Sequence, residues 1–302
     1  MGDRRRFEII KLGPGSLQIE LMSYDGANSD LRPLVIMHSL DFPVPPNVAF
    51  CEKMKAGGFN TLFLRRLGFG NSSMLPQMLL EDTEIDKGAA SVTEAAILNR
   101  ALELAGTKDA ILLSLGSSAP VCARMCNLAH HFSFTIFANP AFNQEIRGDF
   151  KPGYLGAMLD QVVMSKSGAR LASFGFKMQL KRNHRRYFAQ LMSRSAGDLQ
   201  YLDDNSTDID EARRILLDAD WQTLFYHLRS SMTDDHFLTV SAFEKTNAVI
   251  IQGEQTTQTI RTRLDHEADR LKLEIIRAPE GYRLAPYVSP NVLLNVIEGQ
   301  QI

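Results

Sequence analysis

The sequence is poor in cysteine, and the three residues it has, Cys51, Cys122 and Cys126, make no disulfide framework. That scarcity excludes a disulfide-stapled secreted scaffold and implies a reducing, cytoplasmic-type compartment. No run approaches ~18 consecutive apolar residues, which excludes a spanning helix. No apolar stretch long enough for a signal peptide follows Met1-Gly2-Asp3-Arg4-Arg5-Arg6, and Arg6 stands where a myristoylation motif wants Ser or Thr. Excess charge is also missing: 33 Lys and Arg against 35 Asp and Glu leave −2, so neither nucleic acid nor an anionic membrane is attracted in general. Repeats and low-complexity tracts are absent. What is present, 302 residues of which 44% are hydrophobic, suffices for one sizeable core with an added lid.

Residues 7–12 and 17–24 flank Gly13-Pro14-Gly15, a pattern for a hairpin. Beyond it, apolar runs of buried-strand length at 34–37, 61–64, 110–113, 134–137, 249–251 and 273–276 alternate with helical stretches. Strands without a polar face must be covered on both sides, so the spacing predicts an α/β fold with a mostly parallel central sheet flanked by helices. Helices are expected over 47–56, 89–105, 119–129, 259–271 and 290–297. Ser91-Val92-Thr93-Glu94 has capping-box spacing, Gly106 suits a helix stop, and Pro290 follows Ser289 as a first-turn proline follows a cap.

Between Asn139-Pro140 and Phe243 the strand rhythm stops, and a stretch of that length implies an inserted helical lid rather than a loop. The expected division is a core of 1–140 and 243–302 with a lid of 141–242. Within 208–229, Ile209, Ala212, Ile215, Leu216, Ala219, Leu224, Phe225 and Leu228 recur near helical spacing. Met158, Met164, Met178, Met192 and Met232 with Phe174, Phe176 and Phe188 suit either an adaptable apolar surface or the lid's own core.

Small residues surround a glycine after the run at 110–113, in Ser114-Leu115-Gly116-Ser117-Ser118-Ala119. His38-Ser39-Leu40 follows the run at 34–37, Arg65-Arg66-Leu67-Gly68-Phe69-Gly70-Asn71-Ser72-Ser73 follows that at 61–64, and Gln252-Gly253-Glu254 follows that at 249–251. Thr256 lies just beyond, and Gly281-Tyr282 after the last run. In this order the segments resemble those of the α/β-hydrolase family: its H-G segment, its D-x-R-G-x-G-x-S stretch, its G-x-S-x-G elbow, and its H-G-x stretch before the acid and the final G-H. The resemblance covers most of the chain outside the insertion and implies an α/β-hydrolase fold with a helical lid.

It also implies a degenerate catalytic triad. The family order is Ser, then Asp or Glu, then His, and Gly116, Thr256 and Tyr282 stand at those places, with no histidine after His266. The end of the sixth strand carries Asn139-Pro140 instead of an acid. Glycine takes the positive φ of an elbow without the ~1–3 kcal/mol a serine bears there. Thr256 has no charge with which to orient an imidazolium, and Tyr282, with an ordinary pKa near ~10, is a poor proton acceptor at neutral pH.

An oxyanion pocket, by contrast, is mainly backbone. The N–H groups of Ser117 and Ser118 at a helix start, facing Ser39 or Leu40, could hold the carbonyl or carboxylate of a small amphipathic ligand, or be satisfied by water or serine hydroxyls. The candidate pocket is therefore His38, Ser39, Leu40, Ser117, Ser118 and Tyr282. Three functions follow: a non-catalytic ligand binder or sensor, a protein-interaction or self-association scaffold, and a hydrolase or acyltransferase acting on esters or thioesters. In the third, Ser117 is a displaced nucleophile and His38 its base.

No cofactor or metal is expected. Gly68 to Ser73 lacks the helix and acidic residue of a dinucleotide loop. Asp203-Asp204-Asn205-Ser206-Thr207-Asp208 fails as an EF-hand because Arg214 takes the bidentate position, and reads as a polar loop capping a helix. His130-His131 diverge, and Asp234-Asp235-His236 are crowded rather than spaced as ligands. Lys181-Arg182-Asn183-His184-Arg185-Arg186 is a basic patch, read as a solvated helix face or a surface for an acidic partner.

Overall fold

The computed structural model describes residues 4–13, 17–26, 29–40, 42–74, 89–128, 132–141, 166–192, 195–220, 222–224, 243 and 247–299. Eight strands, β1 (Arg6–Lys11), β2 (Gln18–Ser23), β3 (Arg32–Met37), β4 (Phe59–Leu64), β5 (Ala110–Leu115), β6 (Phe132–Ala138), β7 (Ala248–Gly253) and β8 (Glu274–Ala278), form one sheet in the order β1-β2-β4-β3-β5-β6-β7-β8. The β1–β2 and β2–β4 pairs are antiparallel; the rest are parallel. Each apolar run became a strand because its alternate residues feed different cores. Ile111, Leu113 and Leu115 face one side and Ala110 and Leu112 the other.

Helices α1 (Val48–Ala56) and α9 (Pro290–Gly299) cover the first face. Helices α2 (Ala89–Leu104), α3 (Ala119–Leu128) and α7 (Gln258–Leu271) cover the second. A short helix α8 (Ala285–Val288) precedes α9. Between β6 and β7 the described residues contain no strand, and their longer helices are α4 (Lys166–Leu191), α5 (Ala196–Asp204) and α6 (Ser206–Asp218). Their Leu180, Phe188, Met192, Tyr201, Ile209, Ala212, Ile215 and Leu216 join the first core. No helix among the described residues is long and apolar enough to cross a membrane.

Two local expectations need correction. Ser91 lies inside α2 rather than at its cap, and the Glu94 carboxylate grips the buried Arg66 guanidinium through two hydrogen bonds of 3.0 and 2.7 Å. A buried arginine needs that counter-charge more than a helix start does. The acidic stretch 203–208 is no loop: α5 runs through Asp204, and the single residue Asn205 breaks it from α6. Asn205 makes so short a break possible by donating to the Tyr201 carbonyl from both its backbone and side chain. Met158, Met164, Met232, Phe225, Leu228, His130-His131 and Asp234-Asp235-His236 lie outside the described residues.

Candidate functional site

The parallel strands end on one edge of the sheet, where open α/β folds place their sites. There β5 passes through a 3-10 turn (Gly116–Ser118) directly into α3, and Gly116 has φ 50°. Strand and helix can turn so sharply because the residues around the glycine are small. Ser118 is fully buried and works as a staple: its hydroxyl accepts from the Leu115 N–H at 3.0 Å and pairs with the Ser114 hydroxyl at 2.9 Å. A Cβ added to Gly116 would stand 3.1 Å from Ser39 Oγ.

Opposite the turn, Ser117 Oγ accepts the Leu40 N–H at 2.9 Å and pairs with Ser39 Oγ at 3.0 Å, while the Ser117 N–H points at Ser39 Oγ at 3.5 Å. Two backbone donors of the candidate pocket, those of Leu40 and Ser117, are thus turned onto neighbouring hydroxyls. His38 is fully buried, stacked on Phe63 and edge-on to Phe69. Its Nδ1 lies 2.8 Å from the Ser39 carbonyl and its Nε2 accepts the Arg66 N–H at 3.1 Å. That network assigns the proton to Nδ1 and occupies the lone pair a general base would use.

On the other side of the edge the 253–256 and 281–284 loops meet. A Cβ on Gly253 would lie 2.3 Å from the Gly281 carbonyl oxygen and 2.7 Å from Tyr282 Cα, so the two backbones touch only because residue 253 has no side chain. Asn139, just past β6 and at φ 44°, joins both loops: it accepts the Gly253 N–H at 3.0 Å and donates to the Tyr282 carbonyl. The Ala141 N–H in turn donates to the Gly116 carbonyl at 3.0 Å. Gly116, Gly253 and Tyr282 are therefore brought to one place through the 139–141 segment. Thr256 is buried in the same loop and its Oγ1 makes no hydrogen bond among the described residues; the half-buried Tyr282 ring lies under the Arg283 guanidinium.

Sequence reasoning missed the residues that organise these loops. Asp198, on the first turn of α5, is fully buried, and its carboxylate accepts three consecutive backbone N–H groups: Tyr282 at 3.0 Å, Arg283 at 2.7 Å and Leu284 at 3.2 Å. Burial raises its carboxyl pKa above the ordinary value, and those three bonds together with Ser195 offset part of the rise. In return Gln255 Oε1 accepts from the Ser195 hydroxyl and the Gly197 N–H, both at 2.9 Å, at the start of α5. Ser195 Oγ caps α5 by accepting the Asp198 N–H. The spacing Ser195-Ala196-Gly197-Asp198 is an N-cap signature, but the cap alone does not announce the loop Asp198 holds.

Other reactive groups are quiet. Burial raises the Cys122 thiol to about 11 and Cys126 to about 12, far from thiolate chemistry. No cluster of metal-ligating side chains occurs among the described residues.

A mostly parallel sheet covered by helices on both faces, with a positive-φ turn from the fifth strand into a helix, defines a doubly covered α/β architecture. The particular fold is the α/β-hydrolase fold. A bromoperoxidase from Bacillus anthracis matches with TM-score 0.60 at 17% identity over 97% of this chain and 98% of that one. The Cif epoxide hydrolase from Acinetobacter nosocomialis matches with TM-score 0.67 at 14% identity over 100% and 90%. An esterase from Exiguobacterium antarcticum matches with TM-score 0.65 at 12% identity over 97% and 98%. No protein-family model and no curated protein sequence matches the chain. Likeness at such identity fixes the fold and leaves the chemistry to the site.

Proposed function

We propose that this chain is a non-catalytic α/β-hydrolase-fold protein, with a degenerate triad at Gly116, Thr256 and Tyr282, that acts as a protein-interaction scaffold. The observation that carries the reading is the reciprocal lock between α5 and the two loops beside the site. A hydrolase needs those loops to present an acid and a base to a substrate. Here Gln255 holds the start of α5 and Asp198 of α5 holds the backbone of Tyr282, Arg283 and Leu284. The loops are engaged in fixing α5, within the proposed lid 141–242, not in chemistry.

Two further observations support it. The Leu40 N–H donates to Ser117 Oγ, so a carbonyl or carboxylate ligand would have to displace that bond before using the donor, which weighs against the ligand-sensor use. The second bears on Ser117 as a displaced nucleophile. Its oxygen is engaged by Ser39 and Leu40, and Nε2 of His38 already accepts from Arg66; activation requires an oriented base with a free lone pair. The test is turnover of a p-nitrophenyl ester and an acyl thioester by the purified protein. No saturable rate above background is expected. A saturable rate abolished by Ser117→Ala would move the protein to the hydrolase class.

A further inference from the structure

We propose that the outward face of α4 is a docking surface for an acidic amphipathic helix of a partner protein. Leu171, Phe174 and Met178 occupy positions i, i+3 and i+7 of α4, one stripe along the helix. They are 69%, 63% and 52% exposed. Before the break in the helix at Asn183, the opposite face carries the residues that α4 buries, Leu180 and Ser173. Three large apolar side chains in register on one exposed helix face form the contiguous patch that marks interaction sites, and the spacing is that of helix recognition.

The partner's charge follows from what continues the stripe. Arg182, one turn beyond Met178, and Arg186, past the break in α4 at Asn183, line with Gln179 and Asn183 a groove of about 520 Å³. Asn183 Oδ1 accepts the Arg186 N–H at 3.0 Å, so it restarts the helix and fixes the groove's shape. His184, by contrast, lies 3.0 Å from the Asp210 carboxylate of α6. Arg182 and Arg186 have no ion-pair partner among the described residues, and guanidinium groups at that spacing match side-chain carboxylates. A flat bilayer does not fill a concave groove, and a chain of net charge −2 has no general pull towards an anionic surface. An acidic helix places leucines on Leu171, Phe174 and Met178 and carboxylates at Arg182 and Arg186.

This inference deepens the scaffold reading, yet its test is separate, since peptide binding can fail while the protein stays inert towards esters. Fluorescence anisotropy would follow a fluorescein-labelled Leu/Glu helical peptide, and its Leu/Lys counterpart, titrated with the full chain. Saturable binding of the Glu peptide is expected, weakened about tenfold or more by Arg182→Glu with Arg186→Glu and likewise by Phe174→Ala with Met178→Ala. The Lys peptide should gain affinity for the charge-reversed pair. Absence of saturable binding, or binding indifferent to both pairs, overturns the proposal. So does preferential binding to phosphatidylserine–phosphatidylcholine vesicles, or a sedimenting dimer dispersed by Phe174→Ala with Met178→Ala, which would assign the face to a bilayer or to a second copy.

Discussion

The two sides of the site edge hold their shape by different means. At the β5–α3 turn the geometry is local: Gly116 takes φ 50° and Ser114, Ser117 and Ser118 satisfy one another and the nearby backbone. At the 253–256 and 281–284 loops it is long-range, resting on Asn139 and on Asp198 and Gln255, partners far away in sequence. A turn built from its own residues can lose a nucleophile and persist. Loops held by a neighbouring helix are bound to that helix, and altering the hold should disturb both.

The sharpest way to break this comparison is to remove the long-range hold. Asp198→Ala strands three backbone N–H groups away from water and should cost about 3 kcal/mol or more in urea unfolding, whereas a loss below about 1 kcal/mol would mean the loops stand without α5. Next in size, Gly253→Ala drives a methyl into the Gly281 carbonyl and should cost about 1–3 kcal/mol. On the local side, Ser117→Ala frees the Leu40 N–H at a half-buried position and should cost only about 1 kcal/mol.

A pH series sharpens the same contrast. The Asp198 carboxyl pKa is raised by burial, so its contribution is fully present below the unfolded carboxyl value of ~3.9 and is lost as pH rises through the raised folded value. The stability difference between the wild type and Asp198→Asn should therefore be larger in favour of the wild type near pH 4 than at pH 7. Equal differences at both would contradict the burial of this carboxylate.

The sequence made the sheet legible because its five inner parallel strands, β3 to β7, are largely buried on both faces and stand out as apolar runs such as 110–113 and 249–251. The turn at Gly116 was legible for the same local reason: small residues adjoin a glycine where strand gives way to helix. Glu94 misled because its partner Arg66 is 28 residues away, while capping patterns are read within four. Asp198 escaped because the N–H groups it holds are 84 to 86 residues distant. Backbone donors leave no trace in side-chain chemistry. Phe174 and Phe188 share a composition signal yet part company in the fold, one exposed and one buried, because the break in α4 at Asn183 lies between them and interrupts the helical phase.

The central claim is that the site edge holds no activated nucleophile, and the most direct test is intact-protein mass spectrometry after incubation with a fluorophosphonate that phosphonylates activated serines. The account expects the mass to remain that of the unmodified chain, since Ser117 Oγ is engaged by Ser39 and Leu40 and Nε2 of His38 already accepts the Arg66 N–H. A stoichiometric adduct mapped to Ser117 and abolished by Ser117→Ala would contradict it.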